Sequence, residues 1–300
     1  MTGAIGRVRR PMLGHAAMLA FSALVAGSFS LGAMAAPYMS PSAFTAARFL
    51  IAAVIVGGAV MMTTGVPRSA LAAPWRYVLL GGVFGTYFVL MFEGLKTAPA
   101  ISTSAVFTLT PPLSAIAGWF LLRQITTPRM AMALSIGAAG ALWVIFRADL
   151  DALMQFQVGR GEIIYFWGCV AHAIYTPLVA KLNRGETPVV FTFGMLIAGF
   201  LVMSAYGARD ILATDWGALP GIVWITLAYV SVFASAATFT LLQFATLHLP
   251  SAKVMAYTYL SPSWVIVWEI ALGHDVPQPI ILGGVVLTIV ALALLLRDET

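Results

Sequence analysis

Between one polar interruption and the next, this chain repeatedly runs for some twenty residues with almost no charge. That is the length a helix needs to cross the hydrocarbon of a bilayer. Cutting at charges, prolines and glycines leaves ten such segments, near 13–35, 42–63, 76–95, 101–122, 129–146, 162–182, 188–206, 218–246, 251–272 and 279–296. In hydrocarbon each backbone amide and carbonyl must be paired internally, which leaves helices or a closed barrel; a barrel would show short alternating segments instead. Composition agrees, with 61% hydrophobic and 9% charged residues against about 25% charged in soluble domains. A soluble fold would lack the polar surface to stay dispersed. The expected class is an all-α integral membrane protein with ten transmembrane helices.

Basic residues set the orientation, because arginine and lysine collect on the cytoplasmic side. With the N-terminus inside, Arg7, Arg9, Arg10, Arg68, Arg76, Arg123, Arg129, Lys181, Arg184, Lys253 and Arg297 fall inside. Only Lys96, Arg147, Arg160 and Arg209 fall outside, and Arg48 lies within a helix. Both termini are expected in the cytoplasm of a bacterial-type cell, with the chain in the inner membrane. Arg7 to Arg10 before an apolar stretch and Ala33-Met34-Ala35-Ala36 also resembles a cleaved signal peptide. The stretch is long for that role and has a counterpart in the second half, so it is read as helix one.

The halves resemble each other. At an offset of 151, Phe88 meets Phe239, Leu90 meets Leu241, Pro99 meets Pro250, Leu109 meets Leu260, Pro111 meets Pro262 and Pro128 meets Pro279. Nearer each start the offset is 147, pairing Gly14 with Gly161, Pro41 with Pro188 and Phe44 with Phe191. Five helices per half make the second copy enter the membrane in the opposite sense. The expected organisation is a tail 1–12, a first repeat 13–147, an outer linker 148–161, an inverted second repeat 162–296 and a tail 297–300. Inverted repeats are typical of secondary carriers, which bind substrate near the midplane between the repeats.

Other classes find little support. Cys169 is the one cysteine, and His15, His172, His248 and His274 show no ligand spacing, so no metal site or cofactor is expected. The net charge of +5 comes from scattered basic residues, not the clustered face that nucleic acid requires. No P-loop, HExxH or GxSxG occurs, which argues against ATP drive and against common enzyme sites, with no catalytic residue to nominate. A channel-like facilitator and an intramembrane enzyme stand as alternatives to a carrier.

Particular residues resemble the drug/metabolite transporter superfamily, specifically EamA-type ten-helix exporters. They are Ala26-Gly27-Ser28-Phe29, Ser40-Pro41 through Ala47-Arg48-Phe49, Glu93 to Ala100 and Leu109-Thr110-Pro111-Pro112-Leu113 in the first half. Gly161-Glu162, Ala173-Ile174-Tyr175 and Leu260-Ser261-Pro262 answer in the second. The family's usual tryptophan before the helix-one glycine is Ala26 here, and its glutamate after helix four is replaced by Arg123-Gln124. The resemblance implies export of amino acids or related metabolites, aromatic amino acids among them.

Charges retained in hydrocarbon cost at least about 2.5–3.5 kcal/mol each, so they are functional candidates. Arg48 and Glu93 lie at similar depth and are expected to approach each other or share a polar cavity. Either Arg48 receives a substrate carboxylate there, or the two form a neutralising pair. Glu269 and mid-helix His172 are candidates for binding substrate and, with Glu93, for exchanging protons. Tyr87, Tyr175, Gln243 and Tyr257 add polar handles, and Trp264 a stacking surface. Gly27, Pro111, Pro177 and Pro262 are the candidate hinges. The expected machine has a small-molecule substrate and the lipid bilayer as partners and protons as a candidate coupling ion. Its cavity lies among helices one to four and six to nine, with helices five and ten peripheral. Substrate identity, direction of transport and oligomeric state are not legible.

Overall fold

The computed structural model describes residues 2–155, 157–275 and 277–296, with side chains from residue 12 onward. Arg7, Arg9 and Arg10 fall outside the described side chains, and Arg297 and the tail 297–300 outside the described residues.

Among the described residues every regular element is helical. In chain order α1 spans Thr2–Ala35, α2 Pro41–Thr63, α3 Trp75–Leu95, α4 Ala100–Phe107, α5 Thr110–Leu122, α6 Pro128–Ile145 and the short α7 Leu150–Met154. The second half holds α8 Arg160–Leu182, α9 Pro188–Tyr206, the short α10 Ala208–Ala213, α11 Gly221–Ser231, α12 Thr238–Thr246, α13 Ser251–Ala256, α14 Ser261–Ala271 and α15 Pro279–Leu296. Proline opens α2, α6 and α9, where its missing N–H costs nothing and its fixed φ suits the first turn. Thr127 and Thr187 cap two of these starts by accepting from the amides of Met130 and Val190.

Nine helices in the described residues are long and apolar enough to cross a membrane. The expected segment 251–272 is not among them; it is less apolar, with Lys253 and Glu269 in it, and is divided into α13, a 3₁₀ turn over Tyr257–Leu260 and α14. Pro262 supplies the reason for the division, since its ring nitrogen cannot donate to the carbonyl four residues back. The corresponding first-half segment is divided too, with α4 ending at Phe107 and α5 starting at Thr110 ahead of Pro111 and Pro112. Thr110 Oγ1 satisfies the carbonyl of Phe107, which Pro111 cannot reach, and Thr108 Oγ1 adds to Ala105 O at 2.7 Å. Pro177 lies inside α8, where it cannot reach Ala173 O, and Ser114 Oγ of α5 donates to that carbonyl at 3.2 Å instead. The eighth expected segment is continuous, but Val232–Ala237 between α11 and α12 is π-helical.

The helices pair across the two halves. In α2 and α9, Ser42 lies by Gly207, Phe49 by Gly199 and Gly57 by Phe193, an antiparallel pair. In α3 and α8, Gly94 meets Gly161 and Tyr87 meets Gly168, again antiparallel. Thr226 Oγ1 donates to Leu31 O and the Tyr229 hydroxyl to Leu24 O, setting α11 antiparallel to α1. Helix α5 packs on α13 and α4 on α14. Backbones touch where glycine allows it. A Cβ on Gly81 of α3 would sit 2.5 Å from Gly199 N of α9, and one on Gly140 of α6 would sit 2.7 Å from Gly284 O of α15. The expectation that α6 and α15 are peripheral holds in one respect: they are the least buried of the nine spans. Gly27 serves close packing, since a Cβ there would strike the Tyr229 hydroxyl at 2.5 Å, and α1 runs unbroken through it.

Candidate functional site

The centre of the helix assembly is filled with rings. Phe84 of α3 stacks on Tyr175 of α8 with centroids 4.1 Å apart, and Phe239 of α12 leans on Phe84 at 4.6 Å. His172 of α8 meets Tyr87 at 4.6 Å, Phe84 at 5.1 Å and Phe107 at 5.4 Å, all edge to face. The Tyr87 and Tyr165 hydroxyls are 3.2 Å apart, and Gln243 Nε2 donates to the Tyr175 hydroxyl at 3.2 Å. Residues from α1, α2, α3, α4, α8 and α12 thus meet in one buried cluster.

Arg48 enters this cluster from α2 with 0% of its surface exposed. Its guanidinium carbon lies 3.7 Å from the centroid of Phe88, a cation–π contact. Nε and Nη2 donate to Ser235 Oγ at 3.0 and 2.8 Å, and Nη2 also to Ala234 O at 2.8 Å and Val230 O at 3.4 Å. These acceptors lie in or beside the π-helical stretch. A helix with an extra residue per turn shifts the direction of its side chains and carbonyls, and such bulges recur at functional sites. Three buried polar atoms of the cluster have no partner in the structure: Arg48 Nη1, His172 Nδ1 and Gln243 Oε1. The Ser231 hydroxyl, next to Val230, is also unpartnered. Buried polar groups are ordinarily hydrogen-bonded, so orphans clustered at one place are informative.

Of the nine residues expected to bind substrate, the fold gathers Arg48, Tyr87, His172, Tyr175 and Gln243. The expected approach of Glu93 to Arg48 is corrected: Glu93 Oε2 pairs with Lys96 Nζ at 2.6 Å on the partly exposed end of α3. No ionised carboxylate lies within 4.0 Å of Arg48 among the described residues. Glu269 contacts Nδ1 of His274 at 2.7 Å at a partly exposed helix end, so of the three expected proton exchangers only His172 is in the core. Trp264 is partly exposed and donates to Ser22 Oγ at 3.3 Å, while Tyr257 lies beside His15 Nδ1 at 2.9 Å. Trp264 does not join the buried cluster, and Tyr257 lies at its edge toward α1. Sequence reasoning missed Ser235, which carries no signal within an apolar run, passed over Phe84, and used Phe88 and Phe239 only to align the halves.

Two polar contacts tie the halves together at opposite ends. At one, Arg76 of α3 and Glu186 of the α8–α9 loop form a buried ion pair with Nη2 to Oε1 at 2.7 Å. Arg76 also donates to Leu182 O at 2.6 Å, Ala72 O at 3.1 Å and Ala73 O at 3.3 Å. Burial alone would raise the Glu186 carboxyl, but hydrogen bonds from Arg76 and from backbone amides including that of Arg184 hold it below the usual range. At the other end, Ser40 Oγ donates to Asp210 Oδ2 at 2.7 Å, and Ser42 Oγ donates to the same oxygen. These hydroxyls lower the Asp210 pKa.

Known proteins resemble the chain along most of its length. The model of the EamA-like transporter family matches twice, at residues 12–146 and 159–297. The uncharacterized transporter YyaM of Bacillus subtilis is 24% identical over 89% of this chain and 88% of its own. An uncharacterized transporter of Archaeoglobus fulgidus is 20% identical over 91% of this chain and 93% of its own. The S-adenosylmethionine/S-adenosylhomocysteine transporter of Chlamydia muridarum is 25% identical over 64% of this chain and 62% of its own. A solved crystal structure superposes with a TM-score of 0.70 over 98% of this chain and 100% of its own, at 20% identity, and shows the same fold. The chain belongs to the EamA-like transporter family and is a multi-pass membrane transporter.

Proposed function

We propose that the chain is a secondary carrier of the inner membrane that exports small metabolites with an amino-acid head, working by alternating access between two inverted five-helix repeats. The first repeat is 13–147 and the second 162–296, both termini are cytoplasmic, and the divided segment α13–α14 crosses as the tenth helix. Several features support this. The two matches to the family model fall on the two proposed repeats. Helix breaks fall at matching places, after Phe107 and after Ala256. Exchanging the halves maps the packing of α3 on α8 onto that of α1 on α11 and α12. The wide ring cluster suits a planar group, and the chlamydial relatives are named for S-adenosylmethionine and S-adenosylhomocysteine, which join an amino acid to adenosine.

The observation that carries the reading is Arg48: a buried cation at membrane depth, without a carboxylate partner among the described residues and with one Nη unpaired. A fixed charge in such a place is costly to keep, and a substrate carboxylate would neutralise it. His172, Tyr175 and Gln243 would then contact the rest of the ligand. The rings close the centre of this state, which favours a gated carrier over an open pore.

The test is flux into proteoliposomes holding the purified protein. The panel is radiolabelled phenylalanine, tyrosine, methionine and S-adenosylmethionine, with and without a pH gradient and substrate on the far side. Saturable flux accelerated by trans substrate is expected; non-saturating flux would favour the channel, and no flux for the panel would remove the amino-acid assignment.

A further inference from the structure

Arg48 holds the two halves of the molecule together as well as carrying a charge. It belongs to α2 in the first half, and each of its hydrogen-bond acceptors belongs to the second: Val230, Ala234 and Ser235. Its side chain is a fastener across the interface that a carrier has to open. The fastening is made with dipoles only, since no carboxylate lies within 4.0 Å among the described residues. A hydrogen bond charged on both sides is stronger than one charged on a single side, and a carboxylate matches the guanidinium fork with two parallel bonds. A ligand carboxylate therefore competes favourably with two backbone carbonyls and a serine hydroxyl for the same donors.

We propose that Arg48 bolts the core shut in the empty protein by clamping the π-helical segment Val232–Ala237, and that a ligand carboxylate withdraws the bolt by taking the guanidinium for itself. The π-helical geometry suits this, because a segment already off the regular i→i+4 ladder has a neighbouring register to relax into. Charge sets the ligand class. Among the described residues no ionised carboxylate lies beside the guanidinium, so a ligand carboxylate neutralises it: small monocarboxylates fit, and amino acids fit with their ammonium taken by the ring faces of the cluster. The corresponding amines, which would place a second cation next to Arg48, do not. The inference rests on the carrier reading above and adds that recognition and unlocking are one event.

The chain carries its own reporter. Cys169 is its one cysteine, fully buried in the same core beside the Tyr165 hydroxyl, so a maleimide reaches it only when the core opens. Labelling rates of the purified full-length protein are compared for wild type, Arg48→Met and Ser235→Ala, each shown by its melting temperature to be folded. The probes are phenylalanine and tyrosine, against phenethylamine and tyramine. Loss of the charge-assisted bonds is expected to speed labelling of unliganded Arg48→Met by at least about tenfold, and of Ser235→Ala by less. The amino acids should speed wild-type labelling and the amines should not, while Arg48→Met should respond to neither.

If Arg48→Met does not fold, Ser235→Ala alone decides the bolt. Ligand-free variants that label no faster than wild type overturn the bolt, and saturable flux in proteoliposomes would then leave the carrier reading intact. Fast-labelling variants, with a wild type that ignores both amino acids and shows no flux of either, keep the bolt and overturn the carboxylate trigger together with the amino-acid assignment.

Discussion

Replacing Glu186 by alanine tests whether the ion pair at the α8–α9 loop holds the two halves together. The carboxylate faces Arg76 at 2.7 Å, with 0% and 3% of the two side chains exposed, so water cannot take over as partner when one member goes. Removing one member of a buried pair leaves an uncompensated charge and costs about 3–5 kcal/mol. Arg76 keeps three backbone acceptors in Leu182, Ala72 and Ala73, which places Glu186→Ala toward the lower end, about 3 kcal/mol. For a chain of this size that corresponds to a fall in Tm of roughly 5–8 °C. A thiol-reactive fluorogenic dye reads it directly, because the buried Cys169 becomes available on unfolding. The double variant Arg76→Met with Glu186→Leu should recover most of the loss, since an apolar pair of similar volume escapes the desolvation that the ion pair suffers. A Glu186→Ala protein that melts within a degree of wild type, or a double variant no better than the single, would refute the reasoning.

Acid should remove the same contribution. The Glu186 pKa is lowered in the folded state, so its stabilisation is complete above the ordinary glutamate range near pH ~4.3 and drains as pH falls through the lower folded value. The Tm gap between wild type and Glu186→Gln should accordingly narrow on going from neutral pH to about pH 3. Gly81→Val should separate α3 from α9, because its Cβ meets Gly199 backbone 2.5 Å away; a loss above about 2 kcal/mol is expected in a melting assay. Gly82→Ala is the control, with only Val202 at 3.9 Å, and should be neutral or gain a few tenths of a kcal/mol, up to about 1. Tyr175→Phe removes the hydroxyl that accepts from Gln243 Nε2 and, with Gln243 Oε1 already unpartnered, should cost about 1–2 kcal/mol in melting.

The sequence by itself determined that the chain is a bundle of membrane-length helices, because transfer into hydrocarbon depends on local composition and on segment length, and both are written residue by residue. Proline positions are local in the same way: Pro111 and Pro262 remove an N–H wherever the helix goes, so matched breaks in the two halves were legible in advance. Arg48 and His172 were legible as core candidates because charge and polarity stand out against an apolar run. Their partners were not. Whether Arg48 meets Glu93 or Ser235 depends on how each helix is rotated about its axis, and a change of one residue in phase turns a side chain by about 100°. The π-helical stretch over Val232–Ala237 makes such a change, and nothing in its apolar, proline-free run announces it. Glu93 was drawn to Lys96 three residues on, a local contact available without any tertiary structure. The Arg76–Glu186 pair joins residues 110 apart, and only the packing of α3 against α8 brings them together. Hydrophobicity fixed what lies in the membrane; the rotation and pairing of the helices decided which polar groups meet there.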